Sequence, residues 1–182
     1  SVYAVMWLFF FTSCAEFQQN VRLEKFEGQK GYRYQDPAKT KNQDRLFIAL
    51  AFSGGGTRAA ALSYGVLKQL SKTPIPNQAG RVLLEEVDII SSVSGGSFTA
   101  AYYGLFGDRI FEDFESKFLY RNIQGELLTE VLKPWNWARL ASPYFSRIDI
   151  AAELYDETIF DQATFDSLGG AEHHPYIALN AT

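Results

Sequence analysis

The chain has 182 residues, of which 47% are hydrophobic and 15% aromatic, and this composition supports a packed core rather than a disordered chain. The 17 basic residues are outnumbered by 21 acidic ones, and the net charge of -4 argues against a surface that binds nucleic acid. The single cysteine, Cys14, excludes an internal disulfide, and two histidines, His173 and His174, give poor support to a zinc site.

The first segment has the pattern of an export signal. Residues 2–12 (VYAVMWLFFFT) are uncharged and apolar, too short to cross a bilayer as a helix but suited to a signal-peptide core. Small residues then precede Cys14, and this arrangement resembles the lipobox of bacterial lipoproteins, in which the cysteine becomes the acylated N-terminus. The resemblance implies a lipid anchor at Cys14 and a membrane-attached, periplasm-facing location in the bacterial cell envelope. An ordinary cleaved signal or a hydrophobic first helix remains the alternative.

Three segments follow from these patterns: a signal peptide and lipobox over residues 1–13, a polar tether over 14–45, and a folded domain over 46–182. The domain begins with residues 46–52 (LFIALAF), a continuous apolar run that predicts a strand buried on both faces. Three glycines end this strand, and residues 58–70 then have the apolar spacing of a helix.

A second strand is predicted over residues 87–93 (VDIISSV), and a second helix, rich in small residues, over 96–106. Strand, glycine turn, helix, strand, tight turn and helix form a βαβα unit with a right-handed crossover. The predicted fold class is therefore α/β, with helices on both sides of a mainly parallel sheet in a three-layer α/β/α arrangement.

Downstream, residues 108–120 and 148–160 have helical patterns whose apolar stripes we expect to face the core. Residues 134–145 (PWNWARLASPYF) contain two prolines and four aromatic residues. We predict an irregular loop whose aromatic side chains are buried, in preference to a lid that contacts lipid. Residues 176–179 (YIAL) begin another strand, and we expect the chain to end within the domain.

The candidate nucleophile is Ser94. The sequence Ser92-Val93-Ser94-Gly95-Gly96 follows a predicted strand and begins a helix, which is the setting of a GxSxG nucleophile elbow. The two glycines allow the sharp turn that presents the serine, and Ser92 replaces the first glycine of the motif. A serine that merely caps the helix is the alternative interpretation.

A glycine loop precedes this motif at the end of the previous strand. In Ser53-Gly54-Gly55-Gly56-Thr57-Arg58, backbone N–H groups converge at a helix N-terminus, where the helix dipole adds positive potential. Because the carboxyl ends of neighbouring parallel strands lie together, these donors are expected beside Ser94, where they stabilise an oxyanion. A phosphate-binding loop is less well supported, because Arg58 stands where a Walker motif needs Lys followed by Ser or Thr.

The two motifs SGGGTRAA and SVSGGS together are similar to those of the patatin-like phospholipases and the cytosolic group-IV phospholipases A2, over residues 46–182. The resemblance implies a serine lipid acyl hydrolase that needs no metal or organic cofactor. It assigns Ser94 as the nucleophile, Gly54, Gly55 and Gly56 as the oxyanion loop, and Arg58 as the family's basic position. Arg58 either binds a substrate phosphate or braces the loop through a carboxylate.

The family uses a Ser-Asp dyad, and its aspartate lies in an Asp-Gly-Gly or Asp-Gly-Ala motif. No downstream aspartate fits this motif, as the residues that follow Asp149, Asp156, Asp161 and Asp166 show. We therefore expect the catalytic aspartate to lie beyond Thr182, and residues 1–182 alone to be inactive.

Two alternatives from other classes remain. One is an α/β-hydrolase esterase whose triad combines Ser94 with an acid such as Asp161 and with His173 or His174. The other is a lipid-binding module without catalysis.

Overall fold

The computed structural model describes Lys25 and residues 32–34, 46–168 and 175–181. Cys14, His173 and His174 lie outside the described residues, as do the predicted signal segment and most of the predicted tether. Inter-residue contacts divide the chain into two units. The sheet unit contains the described residues of 29–121 and 162–182, and the helical unit contains Lys25 and residues 122–161.

A parallel sheet of three strands, in the order β1-β2-β3, organises the sheet unit. The strands are β1 Ile48–Phe52, β2 Val87–Val93 and β3 Tyr176–Asn180. The helices of this unit are α1 Gly56–Leu70, α2 Gly95–Phe106, α3 Ile110–Phe114 and α7 Phe165–Leu168. A parallel sheet with intervening helices confirms the predicted α/β class.

β1 differs from its prediction. Alternation along the strand places Ile48, Leu50 and Phe52 on one face, and Phe52 is buried there. The opposite face carries Ala49 and Ala51, which are exposed, so this strand is not buried on both faces as its apolar run suggested. A uniformly apolar sequence cannot reveal which face of a strand will be covered.

Helix α2 packs on the sheet and on α1. At Gly104 a Cβ atom would lie 3.0 Å from Leu168 and within 3.1 Å of Ile177, so only glycine allows this helix to approach β3 so closely. The buried Thr99 hydroxyl donates a 2.9 Å hydrogen bond to the Ala60 carbonyl of α1. These contacts fix the two helices that begin at the carboxyl edge of the sheet.

The segment after α2 confirms the predicted stripe but not a regular helix. A 3-10 turn over Gly107–Arg109 precedes α3, and a π-helical turn over Glu115–Leu119 follows it. Phe114 and Phe118 are buried, and Phe118 stacks on Phe98 of α2 at 4.5 Å between ring centroids. The wider π turn places Glu115 where it accepts hydrogen bonds from Tyr64 (2.7 Å) and Lys68 (2.8 Å) of α1.

Part of the predicted tether contacts β3. The Tyr32 hydroxyl accepts a 2.6 Å hydrogen bond from the Ile177 backbone N–H, and its ring stacks on Tyr176 at 4.8 Å. Tyr34 packs against Tyr176 edge to face at 5.9 Å. Burial raises the pKa of the Tyr32 phenol, so this hydroxyl stays neutral at physiological pH.

The helical unit contains α4 Ile123–Leu132, α5 Pro134–Leu140 and α6 Arg147–Thr158. Helix α6 confirms the predicted helix over 148–160 and begins with a capping box between Ser146 and Asp149. Its stripe is only partly in the core, because Ile150 is buried whereas Ile148 is 79% exposed.

The predicted irregular loop over 134–145 is wrong for its first half. Pro134 occupies the first helical position, where its missing N–H and fixed φ are compatible with a helix. Trp135 and Trp137 are exposed, and so is Tyr144, which contradicts the expected burial. The Trp137 indole N–H donates a 2.9 Å hydrogen bond to the Val131 carbonyl. The ring therefore lies at the surface with its only donor paired.

In the described residues no helix has the length and apolar character needed to span a membrane.

Candidate active site

Ser94 lies at the junction of β2 and α2, in a backbone conformation that non-glycine residues rarely adopt (φ 51°, ψ -121°). Such a conformation costs about 1–3 kcal/mol and persists only where surrounding contacts determine it. The residue is exposed and precedes the first residue of α2, but its side chain makes no capping hydrogen bond. A serine that merely caps a helix is therefore not what the structure contains.

The glycine loop lies directly against this serine. A Cβ atom on Gly54 would be 3.3 Å from the Cβ of Ser94 and 3.9 Å from its Oγ. Gly55 and Gly56 have φ values of 135° and 63°, which L side chains rarely adopt, and they lead directly into α1. The structure thus brings the two motifs together.

Close backbone packing joins the loop to the elbow. A Cβ atom on Gly95 would overlap the Gly56 carbonyl and lie 2.8 Å from the Gly56 nitrogen. A Cβ atom on Gly96 would lie 2.7 Å from the Cβ of Phe52, and the Gly96 N–H donates a 3.2 Å hydrogen bond to the Ser53 carbonyl. Glycine is therefore needed at both positions for the motifs to meet.

The N-termini of two helices meet beside Ser94. Helix α1 begins at Gly56 and helix α2 begins at Gly95, and these two glycines are in contact. Neither helix has an acidic residue in its first turn. Across the described segments, no hydrogen bond is found from the N–H of Gly54 or Gly55. Both dipoles raise the local positive potential, which suits a developing negative charge.

Ser92, which replaces the first glycine of the elbow motif, has a structural role. Ser92 is 2% exposed, and its hydroxyl donates a 3.3 Å hydrogen bond to the Ala178 carbonyl of β3. A serine is small enough for this turn and satisfies its own polar group. Its presence therefore agrees with the elbow geometry.

Arg58 lies in the first turn of α1 with its side chain exposed. No ion pair of Arg58 is found among residues 46–168 and the other described positions. The Ser94 hydroxyl likewise makes no hydrogen bond within that part of the chain. Asp161 of the alternative triad belongs to the helical unit.

An open depression of about 270 Å³ lies at the carboxyl ends of the three strands, lined by residues 51–53, 91–93 and Asn180. Asn180 was not among the residues predicted for the site. Its side-chain amide donates a hydrogen bond to the Ser92 carbonyl, two residues before Ser94. An asparagine at the end of a short apolar strand was the only signal in the sequence. The described residues contain no cluster of His, Cys, Asp or Glu suited to a metal ion.

These features define an α/β protein with a strained serine beside a glycine loop at the carboxyl edge of its sheet. The model of the family described as patatin-like phospholipase matches residues 50–170, which is more than half of the chain and includes both motifs. The chain therefore belongs to the patatin-like phospholipase family, a family of lipid acyl hydrolases. Neither the curated proteins nor the solved structures gave a significant match.

Proposed function

We propose that this protein is a serine lipid acyl hydrolase in which Ser94 attacks the carbonyl carbon of a lipid ester. The observation that carries the proposal is the close approach of the glycine loop to the serine. A Cβ atom on Gly54 would lie 3.3 Å from the Ser94 Cβ. Backbone N–H groups of the loop from Gly54 to Gly56 are thereby available to the carbonyl oxygen of a substrate attacked by this serine.

The reaction proceeds in two steps. The Ser94 hydroxyl forms a bond to the ester carbonyl carbon as its proton passes to an aspartate, and the negative charge on the carbonyl oxygen is held by the loop N–H groups. Collapse of this tetrahedral species breaks the ester C–O bond, and the aspartate returns the proton to the leaving oxygen, which departs as the alcohol. Water then attacks the acyl-enzyme, with its proton passing through the aspartate to Ser94, and the fatty acid is released. We assign the proton acceptor to an aspartate of the family's Asp-Gly-Gly or Asp-Gly-Ala motif, outside residues 1–182. Arg58 is the candidate for contact with a substrate phosphate.

The direct test is hydrolysis of p-nitrophenyl acyl esters by the full-length protein and its Ser94→Ala variant. We expect this variant to lose turnover and to retain its unfolding transition, because an exposed elbow serine contributes chemistry more than packing. Ser116→Ala, at an exposed serine of the π turn, is the matched control and should behave as wild type. Turnover retained by Ser94→Ala would contradict the assignment.

The oxyanion assignment has its own test. In Gly54→Ala the backbone N–H remains, but the new methyl group lies 3.3 Å from the Ser94 Cβ and pushes the loop away from the serine. We expect kcat to fall by about 10², the effect of a misplacement of about 1 Å. A variant with unchanged kcat would exclude Gly54 from this part of the mechanism.

We further propose that Cys14 carries a lipid anchor and holds the protein at the membrane of the bacterial cell envelope, where its substrate is found. The support is the sequence before Cys14, since this segment lies outside the described residues. Cys14→Ser should release the protein from the membrane fraction or leave the precursor unprocessed. Unchanged mobility and fractionation would refute the anchor.

A further inference from the structure

The strained conformation of Ser94 has to be maintained by contacts on both sides of this residue. The Ser97 N–H donates a 2.9 Å hydrogen bond to the Ser94 carbonyl, and the Gly96 N–H is bonded to Ser53. These contacts fix the chain as it leaves the elbow. The chain that enters the elbow is held by backbone pairing, because Ser92 and Val93 pair with β3 and Ser92 also pairs with β1. This pairing with β3 ends at Asn180, opposite Val93.

Asn180 adds a restraint of its own with its side chain. Its Nδ2 donates one hydrogen bond to the Ser92 carbonyl at 2.9 Å and another to the Ser91 Oγ at 3.0 Å. Because a carbonyl oxygen accepts and never donates, the Ser92 contact requires the amide nitrogen, and both of its hydrogens are then used. The side chain thus adds two hydrogen bonds to the last registers of the β2–β3 ladder, where Ser92 pairs with Leu179 and Val93 with Asn180.

We propose that Asn180 is a positioning residue of the nucleophile elbow. By holding the Ser92 carbonyl, its amide fixes the peptide plane between Ser92 and Val93, and with it the direction in which the chain enters the turn at Ser94. This inference rests on the proposed function of Ser94. Asn180 acts through the backbone of β2 and takes no part in bond making or proton transfer.

Two comparisons isolate the bond to the Ser92 carbonyl. Asn180→Ala removes both hydrogen bonds, whereas Ser91→Ala removes only the bond to the Ser91 hydroxyl and serves as the matched control. In Asn180→Asp the side chain keeps its size. The introduced carboxyl donates to the Ser92 carbonyl only when it is protonated, below a pKa of about 4. The loss of activity relative to wild type therefore depends on pH in Asn180→Asp, but not in Asn180→Ala or Ser91→Ala.

The experiment measures kcat and KM of the full-length protein on a p-nitrophenyl ester between pH 4 and 8. For Asn180→Ala we expect kcat to fall tenfold to a hundredfold, roughly the effect of a displacement of about 1 Å, with KM nearly unchanged. Ser91→Ala should lose much less of its kcat than Asn180→Ala, because it keeps the hydrogen bond to the Ser92 carbonyl. The activity of Asn180→Asp relative to wild type should rise as the pH falls, which a purely structural role would not produce.

Hydrogen exchange of peptides that cover residues 93–97 provides a readout without turnover. We expect faster exchange in Asn180→Ala than in wild type or Ser91→Ala, because the Ser97 N–H loses its fixed acceptor. Wild-type kcat and exchange in Asn180→Ala would overturn the proposal, and so would equal losses in Ser91→Ala. If Asn180→Ala does not fold, the isosteric Asn180→Asp decides through its pH dependence. Failure of the proposed function is recognised separately, by hydrolysis that persists in Ser94→Ala, and the exchange comparison then decides the role of Asn180.

Discussion

Replacement of Gly95 by alanine is expected to separate the glycine loop from the nucleophile. Gly95 begins α2, and a Cβ atom there would overlap the Gly56 carbonyl and lie 2.8 Å from both its carbon and its nitrogen. Ordinary van der Waals contact begins at 3.4 Å, so the Gly56 backbone has to retreat by at least about 0.6 Å. Its carbonyl oxygen has to move further.

Overpacking of this kind costs about 1–3 kcal/mol, and the helical preference of alanine over glycine offsets at most about 1 kcal/mol of it. We therefore expect Gly95→Ala to lower the free energy of unfolding by about 1–2 kcal/mol. Ester hydrolysis should fall on the order of a hundredfold, because the oxyanion donors are displaced from the position the reaction needs.

Urea denaturation and steady-state hydrolysis measure the two effects. Gly65→Ala is the matched control, since Gly65 also lies in a helix, is exposed, and has nothing within 4 Å of an added Cβ. This control should become more stable by about 0.5–1 kcal/mol and keep its activity. Wild-type stability and activity in Gly95→Ala would refute the close contact between loop and elbow.

Two further predictions concern the rest of the sheet unit and the helical unit. Hydrogen bonds from Lys68 and then Tyr64 lower the pKa of Glu115, so its contribution to stability is present above the unfolded carboxyl pKa of about 4.3 and is lost as the pH falls through the lower folded value. The melting temperature of Glu115→Gln should therefore lie below wild type at pH 7 and approach it in acid, and a difference that persists below pH 3 would contradict this assignment. Phe114→Ala should cost about 3–5 kcal/mol because this ring is fully buried, whereas Trp135→Ala, at a residue 61% exposed, should change stability by less than about 0.5 kcal/mol. If urea denaturation shows equal losses of unfolding free energy in the two variants, the exposed position of Trp135 is contradicted.

Local patterns were sufficient for the elements around the site. β2 has the predicted bounds, and α1 and α2 begin two residues and one residue earlier than predicted, because glycine is compatible with a helix start. Burial was less predictable. The exposed face of β1 and the surface position of Trp135 depend on what covers each element, and side-chain periodicity carries no information about that.

The candidate site was predictable for a similar reason. Ser94 and Gly54 each follow the end of a strand, and parallel pairing of those strands is enough to bring them together. Asn180 could not be predicted, because its contribution arises from the pairing of β3 with β2, at a sequence separation of 88 from Ser92. An isolated asparagine has no spacing pattern that would reveal such a contact.

The phenol of Tyr32 fills a hydrogen-bonding position at the outer edge of β3. Within the described residues β3 is an edge strand, and exposed edges readily accept a strand from another molecule. The hydroxyl of Tyr32 occupies the Ile177 N–H, and its ring covers Tyr176, so an incoming strand has to displace both contacts before it can pair there. A segment that the sequence predicts to be a tether thereby satisfies the Ile177 N–H at the outer edge of β3.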